Sequence, residues 1–82
     1  MKHATKEALS KIKSLLFEIR KIGELKEKKK GIFYKGCIAF LHFHEHDKEL
    51  FADVKINDKW ERFSVTNKVE QIKFLKLLDT YI

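Results

Sequence analysis

No proline occurs among the 82 residues, so no residue of that kind interrupts a helix. The single cysteine, Cys37, excludes an internal disulfide and points to a reducing, cytoplasmic compartment. Only three glycines are present and none cluster, so there is no phosphate-cradling loop. Long apolar runs are missing too. Nothing approaches the ~20 residues that a membrane-spanning helix needs. Met1–Lys13 is punctuated by charge, so neither a signal peptide nor a membrane association is expected.

What is present is a globular composition, 44% hydrophobic and 12% aromatic, sized for one α+β domain over residues 1–82. Charge is uneven. Residues 1–35 carry eleven Lys/Arg against four Glu, a net +7, while residues 36–82 carry seven against eight, a net −1. The basic character sits mainly at Lys26–Lys30, read as a loop closed by Gly31. Such an excess attracts phosphates or acidic partners, and it is equally the mark of a soluble lysine-rich face.

Ala8, Leu9, Ile12, Leu15, Leu16, Ile19 and Ile22 recur at three- and four-residue spacing and make one helical stripe. Thr5 is its N-cap, and the helix is expected to end between Gly23 and Lys28. Phe17 lies off the stripe among charged residues. At the other end, Asn67 followed by Glu70 reads as a capping box. It opens a helix whose stripe is Phe74, Leu75, Leu78, Tyr81 and Ile82, flanked by Ile72 and Leu77.

Between the helices the period changes from 3.6 to 2. Ile32–Tyr34, Cys37–His44, Glu49–Ile56 and Trp60–Thr66 read as four strands joined at Lys35-Gly36, Glu45–Lys48 and Asn57-Asp58. A loop at 45–48 pairs Phe43 with Leu50, Leu41 with Ala52 and Ala39 with Val54. A turn at 57–58 pairs Ala52 with Phe63 and Leu50 with Val65. Both registers deliver the large apolar residues to one face, and a slip of one residue would invert it. The expected fold is a two-layer α+β sandwich, α-β-β-β-β-α. Its four-stranded antiparallel meander packs one face against the N- and C-terminal helices.

The other face carries Phe40, His42, His44, Phe51, Asp53, Lys55, Trp60 and Arg62, an odd set for a surface meant only to meet water. In this register Phe40, Asp53 and Arg62 share a row, His42, Phe51 and Ser64 share the next, and Lys55 lies beside Trp60. An Asp53–Arg62 ion pair and a Lys55–Trp60 cation–π contact are within reach. Cross-strand pairs of this kind are also ordinary on an exposed sheet.

Several chemistries are set aside. His42, His44 and His46 resemble a metal series, but along one strand the outer two stand ~13 Å apart and cannot converge on one ion. A bend at the turn would gather only His44, His46 and Glu49. No metal or other cofactor is expected. Ser64 and His42 are separated by an intervening strand, ~9–10 Å, which excludes a direct nucleophile–base contact. His42 and Asp53 are diagonal neighbours, a pair more often structural than catalytic. An enzyme is not the expectation.

Leu41–Glu45 (LHFHE), Phe51–Val54 (FADV), Glu61–Thr66 (ERFSVT) and Glu70-Gln71 together resemble a pattern in small bacterial proteins with no assigned activity. The resemblance covers about a third of the chain and implies His42, Glu45, Asp53 and Arg62 as the positions to suspect. The element order also loosely resembles the double-stranded RNA-binding domain, α-β-β-β-α. That family's lysine-rich start to the last helix is matched here only by Lys68 and Lys73, with Glu70 opposing phosphate. The reading is a small binding or interaction module using the open face, with a protein partner or a second copy as its contact. The alternative is a nucleic-acid-binding protein using the lysine-rich first third together with that face.

Overall fold

Four hairpin turns of two residues each build the sheet. Lys30-Gly31, Gly36-Cys37, Asp47-Lys48 and Asn57-Asp58 connect successive strands, and the last two place both residues at positive φ. That backbone matches the right-handed twist of the flanking strands, which is why Asn and Asp are tolerated there. The computed structural model describes the backbone of residues 2–82 and the side chains of residues 4–82.

The order is β1 (Lys2–His3), α1 (Lys6–Lys11), α2 (Lys13–Arg20), β2 (Leu25–Lys29), β3 (Ile32–Lys35), β4 (Ile38–His46), β5 (Glu49–Ile56), β6 (Lys59–Ser64) and α3 (Lys68–Thr80). The fold is α+β, with an open antiparallel sheet of spatial order β2-β3-β4-β5-β6. The short β1 pairs with the far end of β4, setting His3 opposite His44 in the backbone register. Ala4 then donates its N–H to the Phe43 carbonyl and Thr5 donates to Glu45 Oε1. Among the described residues, no helix is long and apolar enough to cross a membrane.

Four differences from the sequence reading stand out. The Lys26–Lys30 segment is not a loop: β2 adds a fifth strand to the meander. Its pattern holds one apolar residue, Leu25, too little for a period to register. Tertiary contacts supply the rest. Glu27 receives two hydrogen bonds from Arg20, at 2.6 and 3.0 Å, and a third from the Gly31 N–H at 2.8 Å. The Arg20 guanidinium and the Gly31 N–H hold the Glu27 carboxyl below its ordinary pKa, against the opposing pull of burial. β2 is an edge strand, and lysines there discourage a neighbouring sheet from pairing with it.

Second, the N-terminal stripe is carried by two short helices. Ile12 sits between them at φ −112°, ψ 28°, and α2 ends at Arg20. Third, the β4–β5 turn occupies Asp47-Lys48 alone, so β4 runs on to His46 and the pairing differs by two residues. Phe43 faces Ala52 and Leu41 faces Val54. A shift of two preserves the face of every side chain while changing its partner. The β5–β6 register is the expected one, Ala52 opposite Phe63. Fourth, the β3–β4 turn is Gly36-Cys37 instead of Lys35-Gly36, which leaves Cys37 exposed in the turn.

The core is a single cluster. Ala8, Leu9, Ile12, Leu15, Leu16 and Ile19 from the first helices and Phe74 and Leu78 from α3 meet Phe33, Leu41, Phe43, Leu50, Ala52 and Val54 from the sheet. Gln71, a polar residue within this layer, donates from Nε2 to the Val65 carbonyl at 3.1 Å. Phe17 is 59% exposed, as its place off the stripe implies.

The capping box is present in full. Asn67 Oδ1 accepts the Glu70 N–H at 2.9 Å, while Glu70 Oε1 accepts from Ser64 Oγ and the Thr66 N–H, also at 2.9 Å. Replacing Asn67 with alanine is expected to cost about 1 kcal/mol. The shift in the urea midpoint measures it, and an unchanged midpoint would show that the cap is dispensable.

Candidate functional site

Alternation along β4, β5 and β6 brings seven of the eight expected residues onto one face. His42, Asp53 and Arg62 lie in one cross-strand row, His44, Phe51 and Ser64 in the next, and Lys55 faces Trp60. His42 and Asp53 are thus directly opposed, where the sequence reading set Asp53 across from Phe40.

Phe40 is the exception. The β3–β4 pairing passes from Phe33↔Leu41 to Tyr34↔Ala39, so β4 holds one extra residue, Phe40, at a bulge. A bulge breaks the alternation of side chains. Phe40 is 6% exposed and belongs to the core cluster, with the Lys35 ammonium 5.6 Å from its ring centre. It is withdrawn from the contact surface.

At the centre of the face is Asp53, only 5% exposed although it lies on the side away from the core cluster. Its neighbours cover it. Arg62 donates from Nε to Oδ1 at 2.8 Å and from Nη2 to Oδ2 at 2.9 Å, a bidentate pair. His44 Nδ1 is 2.9 Å from Oδ2, and Arg62 Nη2 is 3.4 Å from that same imidazole nitrogen. Burial pushes the Asp53 carboxyl up, but the Arg62 guanidinium, then the His44 and His42 imidazoles, outweigh it and hold the pKa below the ordinary value. Arg62 is correspondingly raised by its hydrogen bonds to Asp53.

Rings complete the cluster. His42 meets His44 edge-on at 4.7 Å between centroids and Trp60 at 4.5 Å. Trp60 remains 44% exposed. Arg62 lies over Phe51 at 5.8 Å and Lys55 over Trp60 at 5.9 Å. One strand brings in residues the sequence reading missed. Lys26 pairs with Tyr34, and the Lys28 ammonium is 4.7 Å from the Tyr34 ring centre. Phe33, next to Tyr34, is fully buried in the core, so Tyr34 and these lysines share the open face.

Other expectations resolve geometrically. Ser64 donates its hydroxyl to Glu70 Oε1 at 2.9 Å. His46 lies at the hairpin tip, 3.3 Å from Asp47 Oδ2, and stays out of the cluster. Glu45 accepts from the Thr5 N–H, which fastens the start of α1 to β4. Away from this face, Phe17, Ile72 and Leu75 line a groove of about 580 Å³ between α2 and α3.

Comparison with known proteins returns nothing: no family model fits the chain, and no curated protein or solved structure matches it.

Proposed function

We propose that the chain is a small binding module whose contact surface is the open face of the sheet. The observation that carries this is three cation–aromatic couples on that face: Lys28 with Tyr34, Lys55 with Trp60 and Arg62 with Phe51. Aromatic faces supply stacking surface that tolerates any base, and the cations beside them supply charge for phosphates. Tyr34 on β3 and Trp60 on β6 are three strands apart, ~14 Å, a span suited to a few unstacked nucleotides. Single-stranded nucleic acid is therefore the partner class this chemistry fits, and β2 supports it by joining Lys26 and Lys28 to the aromatic face.

A protein partner or a second copy of the chain is the other reading. It is favoured by Trp60, a large aromatic left 44% exposed beside an arginine, the residue types that dominate interface energies. A salt titration with a fluorescent oligouridine and an oligothymidine of about 12 nucleotides separates the two. For three phosphate contacts, log K is expected to fall with log salt at a slope of about −2. Trp60→Ala is expected to weaken binding roughly tenfold through lost stacking. No binding of either strand at low salt overturns the nucleic-acid reading. Native mass then decides for or against the second copy.

A further inference from the structure

The two-residue difference in the β4–β5 register has a chemical consequence. It sets Asp53 opposite His42, with His44 one step along on the same face. One imidazole nitrogen from each histidine and one carboxylate oxygen of Asp53 lie within 4.8 Å of one another. Three histidines along one strand cannot surround an ion, but two histidines with a carboxylate from the next strand can.

We propose that His42, His44 and Asp53 form a binding site for a zinc-class divalent ion, with Arg62 as the resident cation that the ion displaces. Around an ion with bonds of ~2.0–2.2 Å, neighbouring donor atoms stand roughly 3–3.5 Å apart. His44 Nδ1 and Asp53 Oδ2, at 2.9 Å, already meet that spacing. No separation need close by more than about 1.5 Å, within reach of side-chain rotation alone. The backbone need not move, because β4 and β5 are interior strands paired on both sides.

The donor set chooses the ion. Two neutral imidazoles and one carboxylate suit zinc, cobalt(II) or iron(II), whereas calcium and magnesium prefer oxygen alone. Three protein donors also leave a coordination position open to water or an exogenous ligand. Arg62 now occupies the place of the positive charge, bonded to both carboxylate oxygens and 3.4 Å from His44 Nδ1. Its side chain is 43% exposed, so it swings into solvent as the ion enters. A carboxylate has about four acceptor sites, so Oδ2 binds the ion while Oδ1 accepts from water in place of Arg62.

This site shares Arg62 with the contact face proposed above, but it rests on the His42, His44 and Asp53 geometry, so its failure leaves that reading untouched. The experiment is titration of untagged protein with cobalt(II), followed by visible absorption, and with zinc(II), followed by calorimetry. One ion per chain is expected, with the intense absorption of a low-coordinate cobalt site. His42→Ala and His44→Ala are each expected to weaken binding at least tenfold, and His46→Ala to leave it unchanged. Arg62→Gln is expected to tighten binding about tenfold, because it removes the competing positive charge. Circular dichroism checks that each variant folds. Should an alanine variant unfold, nitrogen-15 spectra of the wild-type imidazoles replace it, with His42 and His44 shifting on zinc addition and His46 not. No binding by about 1 mM metal, binding insensitive to His42 and His44, or weaker binding in Arg62→Gln would each overturn the proposal.

Discussion

Replacing Arg62 with alanine is expected to destabilise the fold by about 2–3 kcal/mol, and by more than replacing Asp53 with alanine. The asymmetry comes from burial. The Asp53 side chain is 7% exposed and the Arg62 side chain 43%. Without Asp53, the guanidinium turns outward and regains its water. Without Arg62, the carboxylate stays behind under its neighbours with its main counter-charge gone. Removing one partner of a fully buried pair costs about 3–5 kcal/mol. His44, 2.9 Å from Oδ2, brings the figure below that range.

The same pair predicts a pH dependence with a definite sign. In the wild type the folded-state pKa of Asp53 lies below its ordinary value. The stabilisation is therefore complete above the ordinary aspartate range and is lost as pH falls through the lowered folded pKa. In Arg62→Ala, burial still opposes ionisation and its chief counterweight is absent, so the folded pKa rises. Protonation then relieves the buried charge. The stability gap between wild type and Arg62→Ala should narrow between about pH 7 and about pH 4.5. Urea unfolding of both proteins at each pH measures it. A constant gap, or an Asp53→Ala variant less stable than Arg62→Ala, would contradict this account of Asp53.

Phe33→Ala is expected to cost still more, about 3–5 kcal/mol. Phe33 is fully buried, on an interior strand between Glu27 of β2 and Leu41 of β4. It is the largest wholly enclosed side chain among the described residues. Truncation leaves a cavity beneath a strand held in ladders on both sides, and such a wall relaxes little. A domain of 82 residues has a total stability of about 4–12 kcal/mol, so the variant should be close to unfolding at 25 °C. Phe17→Ala is the internal control. With 59% of that residue exposed, a change within about 0.5 kcal/mol is expected. Equal losses for the two phenylalanines would mean that the core is not where the structure puts it.

How much of the site could be read in advance follows from which property is local. The side of the sheet on which His42, His44, Phe51, Asp53, Lys55, Trp60 and Arg62 stand depends only on alternation along each strand. A two-residue error in the β4–β5 turn did not disturb it. Phe40 was misplaced because a bulge arises from how β3 and β4 match in length, a relation no single strand encodes. β2 escaped detection because its sequence, LKEKK, carries one buried apolar residue and is ordered by Arg20, by Gly31 and by pairing with β3.

From its residues alone, the chain determines its α+β class, the helix caps at Thr5 and Asn67, the β5–β6 hairpin and the two faces of the sheet. These are set by periods, caps and turn chemistry within a few residues of one another. Tertiary structure decided which residue stands across from which: His42 opposite Asp53, Lys26 opposite Tyr34, Glu27 under Arg20. Partners across strands depend on turn length and on distant contacts, and two registers that differ by two residues hide the same side chains while building different sites.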